Sequence, residues 1–273
     1  MTTTTQREIE AAGGSNGVST ERKGALAVWT IDRPDRRNAL ARATVRELGR
    51  LAREAASDRS LRAVILTGAG GQAFCAGADL KERQSMDEAE VRDFLALYRA
   101  SFGAIDRLPV PVIAAIEGVA FGGGLELALA CDFRVASRGA TLGLTETSLA
   151  IIPGAGGTQR LVRAIGGARA KELIVFGRRL TAMEAHAIGL VNAVAGEGES
   201  ALSAAERFAT PLLDAAPIAI AAALDAVDAA DDRSLEDGLS YERVCYERTL
   251  ASKDRLEALA AFAAKRKPTY RGE

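Results

Sequence analysis

Two short glycine-bearing segments of the sequence each lead into a helical pattern. They are residues 75–81 (CAGADLK) and residues 120–126 (AFGGGLE). The first amides of a helix have no partner within it and lie at the positive end of its dipole, so they can bind an oxygen that becomes negative during a reaction. Each well-aimed donor contributes about 2.7 to 4 kcal/mol in a transition state. Together the segments predict an oxyanion-binding site, although either one alone is more often just a turn.

Two glutamates accompany these segments. Glu126 lies one turn beyond Gly123, and because helical side chains lean toward the N-terminus, its carboxylate should return toward the same amides. Its neighbours are apolar, and a carboxylate buried there is costly unless it is paired or protonated, which indicates a chemical role. Glu146 precedes the apolar and glycine-rich residues 151–157 (IIPGAGG). By its spacing alone it could equally cap a helix.

Other kinds of site lack their residues. Residues 68–73 (GAGGQA) match a dinucleotide-binding fingerprint, but the segment that follows looks extended, where that fold needs a helix. The only histidine, His186, lies in a helical pattern, and no G-x-S-x-G turn is present for a serine nucleophile. Three separated cysteines, Cys75, Cys131 and Cys245, cannot complete a zinc site with it. We therefore predict no metal site, with carboxylate-only magnesium as the remaining metal alternative.

The composition is that of an ordinary globular protein. Its 35 basic and 36 acidic residues leave a net charge of −1, so no overall field attracts nucleic acid or an anionic membrane. The odd number of cysteines in apolar contexts indicates reduced thiols. No apolar stretch reaches the length of a membrane span, and residues 1–20 lack the apolar centre of a secretory signal. These features predict a cytoplasmic protein with a loose N-terminal tail.

Short apolar runs alternate with helical patterns along the first two thirds of the chain, which predicts an α/β core. Beyond about residue 168 the strands thin out and helices dominate. Thr181 with Glu184, and Ser234 with Asp237, have the spacing of reciprocal helix caps. The predicted strands cover residues 25–31, 63–67, 110–116 and 133–136, and the predicted helices include residues 40–53 and 125–131.

At this point the chain resembles the crotonase, or enoyl-CoA hydratase/isomerase, superfamily, from Val28 to the C-terminus. Order and spacing both agree. The matching stretches are Arg33-Pro34 with Asn38-Ala39-Leu40, residues 74–81, residues 122–128, Glu146 seven residues before Pro153, and residues 154–160.

The resemblance implies roles for individual positions. The amides of Ala78 and Gly123 match the oxyanion hole for the thioester carbonyl of an acyl-CoA. Glu126 and Glu146 match the two glutamates that hydratases use and that many other members of the superfamily lack. Residues that match the segment lining the adenine and pantetheine side of coenzyme A are Ala76, Ala78, Asp79, Leu80 and Lys81.

Hydration of a 2-enoyl thioester needs a base that takes a proton from water, an acid that protonates Cα, and stabilisation of enolate-like charge. We predict that Glu126 orients and deprotonates water and that Glu146 donates the proton to Cα. No permanently bound cofactor is expected, because the substrate itself carries coenzyme A. Isomerisation, or another acyl-CoA reaction on the same scaffold, is the alternative.

Within the superfamily, residues 80–83, 125–136, 147–160 and 245–273 look most like the methylglutaconyl-CoA hydratases of leucine breakdown. This resemblance makes 3-methylglutaconyl-CoA the candidate substrate, with a short-chain 2-enoyl-CoA as the more general statement. Some relatives of that branch bind AU-rich RNA through a cationic helix, and Arg42, Arg46 and Arg50 form a stripe at the corresponding place. Interspersed acids and the lack of aromatic residues for base stacking make RNA binding the minor alternative.

The architecture follows from the resemblance: an α/β spiral of ββα units with a C-terminal helical trimerisation region. The expected organisation is a tail over residues 1–19, a spiral core with the acyl-CoA site over 20–209, and an oligomerisation region over 210–273. A homotrimer or a dimer of trimers is expected. Phe262 and Lys265 match residues that reach a bound coenzyme A, often on a neighbouring subunit.

Overall fold

The structure is a computed structural model that describes residues 15–273. The strands are β1 (Val18–Lys23), β2 (Leu26–Ile31), β3 (Ala63–Gly68), β4 (Ala73–Cys75), β5 (Val112–Ile116), β6 (Val119–Phe121), β7 (Phe133–Ala136), β8 (Thr141–Gly143), β9 (Arg179–Thr181) and β10 (Ala193–Val194). The helices are α1 (Arg42–Ala55), α2 (Leu80–Gln84), α3 (Glu88–Asp106), α4 (Gly123–Leu129), α5 (Gly157–Ile165), α6 (Gly167–Val175), α7 (Ala182–Ala187), α8 (Ala201–Leu213), α9 (Pro217–Asp228), α10 (Leu235–Leu250) and α11 (Lys253–Ala263).

The strands form two sheets. The larger sheet has the order β1-β2-β3-β5-β7-β10 and is parallel except for the β1–β2 pair. The smaller sheet has the order β4-β6-β8-β9 and is parallel except for the β8–β9 pair. In three successive units the first strand joins the larger sheet and the second joins the smaller one, before the chain continues into helices. The predicted α/β spiral of ββα units is confirmed.

The larger sheet is covered on both faces. Every residue of β5 is buried, as expected for a central parallel strand. One face packs in a core cluster with α1, α3 and α4, and the other packs against α8. The buried residues of α8 are all alanines, which lets the helix lie close to the sheet. The two-sided core fixes the strand ends, and the loops that leave those ends carry the site.

The predicted strands and helices are present, but β1 was not among them, and two elements cross the expected boundaries between regions. The strand β1 begins at Val18, inside the predicted tail, because Val18 is buried opposite Ile31 of β2. The rest of the predicted tail, residues 1–14, lies outside the described residues. The helix α8 runs through the expected boundary at residues 209 and 210, and it packs on the larger sheet along its whole length.

The two predicted helix caps differ in detail. Thr181 and Glu184 form the complete reciprocal cap of α7. Ser234 accepts a hydrogen bond from the amide of Asp237, but the Asp237 carboxylate bonds to the Ser234 hydroxyl rather than returning to its amide. The second pair is therefore only half of a capping box.

A partly buried carboxylate joins two strands of the larger sheet and makes stability depend on pH. Asp132 precedes β7, and its Oδ2 accepts a hydrogen bond of 2.6 Å from the amide of Val112 in β5. Burial, and then the charges of Asp228 and Asp106, raise the pKa of Asp132 to about 7. Because the folded state holds this proton more tightly than the unfolded chain, the contribution to stability is lost as the pH rises toward 7.

Asp132→Asn keeps an acceptor for Val112 and removes the charge. We expect the variant to be more stable than the parent at pH 8 by about 1 to 3 kcal/mol, with the gap closing at pH 4 to 5. Denaturant unfolding at both pH values measures the difference. Asp93→Asn, at an exposed position on α3, is the control and should show no such pH-dependent gain. Equal stability of parent and Asp132→Asn at pH 8 contradicts the prediction.

Candidate active site

A cavity of about 540 Å³ lies where the two sheets meet the helices. Its walls are the loops at residues 76–80 and 121–123, the buried Glu126 of α4, one face of α3, and the segment from Thr145 to Ala155. Its size is that of a small-molecule site. Both glycine-bearing segments identified from the sequence therefore open into the same space.

The first loop holds the amide of Ala78 free. The neighbouring residues 37–40 run beside it, where the amide of Leu40 donates to the carbonyl of Gly77 at 2.8 Å and the amide of Asp79 donates to the carbonyl of Leu40 at 3.0 Å. The Ala78 amide between them donates to no acceptor within residues 15–273. A loop that is fixed on both sides presents one unused donor at the cavity.

Residues of the 33–40 motif hold the first loop in place through hydrogen bonds and an ion pair. Asn38 is fully buried, and its Nδ2 donates to the carbonyls of Ala69 and Ala73 at 2.9 and 2.7 Å. Arg33 forms an ion pair of 2.8 Å with Asp79, whose carboxylate also caps α2. The Asp79 side chain is thus engaged in holding the loop in shape and is not part of the cavity wall.

The second loop places the start of α4 beside the first. The backbone of Gly122 has a φ of 52°, a conformation that favours glycine, and its amide donates to the carbonyl of Gly143 at 2.9 Å. The next amide, that of Gly123, has no acceptor among the described residues. A Cβ added at Gly123 would lie 3.6 Å from the nitrogen of Ala78. The two unused amides are therefore neighbours, as an oxyanion hole requires.

Glu126 is held at the start of another helix. Its Oε1 accepts hydrogen bonds from the amides of Ala155 and Gly157, at 2.7 and 2.8 Å, at the N-terminus of α5. The side chain is almost completely buried. Burial raises the pKa of Glu126 above its usual value, although the two amides oppose the shift. The group is positioned rigidly and is easier to protonate than a surface glutamate.

The carboxylate of Glu146, unlike that of Glu126, is not held by hydrogen bonds from the described residues. Glu146 begins a short 3₁₀ turn, Glu146–Leu149, after β8, and it is buried. Neither carboxylate oxygen has a hydrogen-bond partner within the described residues. Burial, and to a smaller extent the charge of Glu126, raise the pKa of Glu146 to about 7. A pair of acids in one cavity with such different surroundings is suited to acid and base roles.

The third wall is α3, which is not among the helices predicted from the sequence. Phe94, Leu95, Tyr98 and Arg99 of α3 line the cavity, and Arg83 of α2 joins them. The Tyr98 hydroxyl donates to the carbonyl of Leu40 at 3.3 Å, which ties α3 to the first loop. The signal for α3 lies in Asp87 and Glu90, which form a complete capping box, and in aromatic residues repeating every four positions.

The structure brings most of the predicted site residues together. Those that line the cavity are Ala76, Ala78, Leu80, Gly123, Glu126 and Glu146. Lys81 is exposed on α2 and lies outside the cavity wall, as Asp79 does. Phe262 lies on α11 with 85% of its surface exposed, and Lys265 follows that helix; neither lines this cavity of the single chain. Their contacts with coenzyme A stay predictions.

The structure also places the residues that were considered for other kinds of site. Within residues 15–273 no cluster of metal-ligating side chains occurs, and the three cysteines are free and buried. The Nδ1 of His186 lies 2.9 Å from the carbonyl of Val191, where it supports a turn. In the arginine stripe of α1, Arg50 pairs with Glu47 and Glu54, and Arg42 lies 5.9 Å from the Phe94 ring centroid. Among residues 15–273, every helix is too short or too polar to be a membrane span.

Comparisons with protein families, curated proteins and solved structures all point to the same family. The profile of the family described as "Enoyl-CoA hydratase/isomerase" matches residues 21–273. The putative enoyl-CoA hydratase/isomerase YngF of Bacillus subtilis is 47% identical over 95% of this chain and 99% of its own length. The mitochondrial methylglutaconyl-CoA hydratase of Homo sapiens is 46% identical over 93% of this chain and 76% of its own. The structure of an enoyl-CoA hydratase from Bacillus anthracis superposes with a TM-score of 0.91 at 46% identity, covering 94% of this chain and all of that one.

Proposed function

Because the chain belongs to the enoyl-CoA hydratase/isomerase family, whose substrates are acyl-CoA thioesters, we propose that it adds water to a 2-enoyl-CoA through Glu126, Glu146 and two backbone amides. The observation that carries the proposal is the pair of buried glutamates lining one cavity with the unused amides of Ala78 and Gly123. Isomerisation needs no second group to activate water, so the retention of both acids favours hydration.

The amides act on the thioester. The carbonyl oxygen accepts hydrogen bonds from Ala78 and Gly123, and it becomes more negative as water adds to Cβ and the alkene electrons move toward the carbonyl. Donors already fixed in place stabilise that charge without reorganising. Residues 76–78 and Leu80 are proposed to bind the adjoining part of coenzyme A, with Asp79 and Lys81 shaping that side.

The glutamates divide the proton transfers. Glu126, ionised, takes a proton from the water whose oxygen forms the new bond to Cβ. Glu146, protonated, gives its proton to Cα, and the product is a 3-hydroxyacyl-CoA. One proton has entered the pair and one has left it, so exchange between the acids restores the starting state. The pair therefore titrates as a unit.

The pH dependence of hydration follows from this assignment. Because the active form has Glu146 protonated and the pKa of that group is raised to about 7, kcat/KM should fall as the pH rises above 7. Protonation of Glu126, whose pKa is also raised, should lower kcat/KM on the acid side. Initial rates with crotonyl-CoA between pH 5 and 9 measure both limbs, and enzyme returned from pH 9 to pH 7 controls for unfolding. A profile that is flat from pH 6 to 9 contradicts the assignment.

The proposed acyl group is that of 3-methylglutaconyl-CoA. Support comes from the 46% identity to methylglutaconyl-CoA hydratases of Homo sapiens and Rattus norvegicus. Loss of enoyl-thioester absorbance with crotonyl-, tiglyl- and 3-methylglutaconyl-CoA tests both reaction and preference. Appearance of a shifted double bond without a hydroxyl group would indicate the isomerase alternative instead. A rate with the branched dicarboxylic substrate no higher than with crotonyl-CoA would remove this acyl group from the proposal.

The C-terminal helices support the proposed assembly into trimers or dimers of trimers. Large apolar side chains are exposed along α10 and α11, a pattern that indicates contact with further protein surface. These residues are Leu235, Leu239, Val244, Tyr246, Leu250, Leu256, Leu259 and Phe262. On this proposal a neighbouring subunit brings Phe262 and Lys265 to the coenzyme A site.

Two further expectations concern RNA binding and the location of the protein in the cell. RNA binding through α1 is disfavoured by the pairing of Arg50 with two glutamates, which leaves no continuous free cationic stripe. A cytoplasmic location stays a prediction, since several similar proteins are named as mitochondrial.

A further inference from the structure

Two arginines line the cavity and have no part in the proposed proton transfers. Arg83 is half-buried on α2, and Arg99 lies on α3 toward solvent. Within residues 15–273 neither arginine forms an ion pair. The guanidinium of Arg83 donates no hydrogen bond there, and that of Arg99 donates one, from Nε to the carbonyl of Gly154 at 3.3 Å. Among the described residues, the cavity thus holds two guanidinium groups that pair with no carboxylate.

This lack of partners distinguishes them from other arginines around the site. Arg33, behind the first loop, pairs with Asp79 at 2.8 Å, and Arg160, on α5, pairs with Asp106 at 3.0 Å. A guanidinium that is partly removed from water loses hydration and is stabilised by an anion that accepts its hydrogen bonds in parallel. In an acyl group, the anion that can accept two parallel hydrogen bonds from the planar guanidinium of arginine is a carboxylate.

The two catalytic carboxylates do not supply that anion. Glu126 is held by the amides of Ala155 and Gly157, and neither oxygen of Glu146 has a partner. Arg83 lines the cavity from α2 and Arg99 lines it from α3, whereas Glu126 belongs to α4 and Glu146 begins the 3₁₀ turn.

We infer that Arg83 and Arg99 bind a carboxylate at the far end of the acyl chain, so that the enzyme prefers dicarboxylic 2-enoyl-CoA thioesters. This inference rests on the proposed function, since it places the thioester at the Ala78 and Gly123 amides and the alkene beside the glutamates. The other anion available is a phosphate of coenzyme A. Both arginines line the same cavity as the oxyanion donors, and the ligands and variants below distinguish a carboxylate of the acyl group from a phosphate of coenzyme A.

A matched pair of ligands isolates the distal carboxylate. Glutaryl-CoA and valeryl-CoA have five acyl carbons each and differ by a terminal carboxylate in place of a methyl group. Neither has an alkene, so their dissociation constants can be measured by calorimetry without turnover. The parent enzyme should bind glutaryl-CoA at least about tenfold more tightly, as expected for charge-assisted hydrogen bonds.

Arg83→Met and Arg99→Met should each lower that preference by about tenfold, and the double variant should abolish it. Arg83→Lys should restore part of it, because it returns the charge without the fork. Arg92→Met is the control: Arg92 is on α3 as well, but it pairs with Glu88 on the surface and lies outside the cavity wall. The same preference should appear in kcat/KM for glutaconyl-CoA over 2-pentenoyl-CoA.

Three results would overturn the inference. Equal affinity of the parent for glutaryl- and valeryl-CoA means that no carboxylate site exists. An equal loss for both ligands in the arginine variants assigns the guanidinium groups to the phosphates of coenzyme A. An unchanged preference in the double variant assigns the carboxylate site to other residues. If 2-pentenoyl-CoA and glutaconyl-CoA are both left unhydrated, the proposed reaction fails, while the binding pair still decides the role of the arginines.

Discussion

Glu146→Gln should lower kcat for hydration of crotonyl-CoA by about 10²- to 10⁴-fold, the range of a lost general acid. The amide has the size of the acid but cannot give a proton to Cα. Since neither oxygen of Glu146 bonds to another group in the described structure, the replacement breaks no protein hydrogen bond. The same loss is expected for Glu126→Gln, whose amide oxygen can still accept from Ala155 and Gly157. The deficit should therefore be chemical rather than structural.

A binding measurement and a double variant distinguish this loss of kcat from misfolding. Both variants should bind butyryl-CoA with an affinity within about threefold of the parent, because the amides of Ala78 and Gly123 are untouched, whereas unfolded protein would not bind. The double variant should be little slower than either single one, since the two acids act as a unit. Glu88→Gln, at a surface ion pair of α3, is the matched control. Parental kcat in Glu146→Gln would refute the acid role.

What the sequence made predictable was local. The glycine segments and the buried strands of the larger sheet depend on neighbours in sequence. The expected return of Glu126 toward the amides of its own helix is not what the structure shows, because the amides of Ala155 and Gly157 at the start of α5 hold its carboxylate instead. Glu146 was different: its spacing alone allowed a cap, and only the resemblance linked it to Glu126. The structure shows why: parallel pairing of β6 with β8 brings the segments that follow these strands to the same cavity, and no local pattern encodes that pairing.

The residues that escaped prediction are those whose role depends on tertiary approach. In the sequence, Arg83 and Arg99 look like ordinary surface residues of α2 and α3, and only the folded chain brings them to the cavity that the 145–155 segment also lines. Conversely, Asp79 matched a coenzyme-lining position, but the fold uses its carboxylate to cap α2 and pair with Arg33. Asn38 was matched only as part of a motif, and its full burial shows that it ties the first loop to β3 and β4.

Gly124→Ala should disable the site by separating the two oxyanion donors. A Cβ at this position would lie 2.2 Å from the carbonyl oxygen of Cys75 and 2.8 Å from its carbon. Both are backbone atoms at the end of β4, so the start of α4 must move away from the first loop. That movement carries the amide of Gly123 away from the amide of Ala78. Loss of one donor lowers kcat by about 10²- to 10³-fold.

The strain also costs about 1 to 3 kcal/mol of stability, as overpacking commonly does. The kcat with crotonyl-CoA is therefore measured well below the midpoint of thermal unfolding of the variant. Gly139→Ala is the control, because a Cβ there meets no atom within 4 Å. It should keep parental kcat and stability. If Gly124→Ala retains parental kcat while folded, the oxyanion donors are not held by the close approach of α4 to β4, and the carbonyl must be bound elsewhere in the cavity.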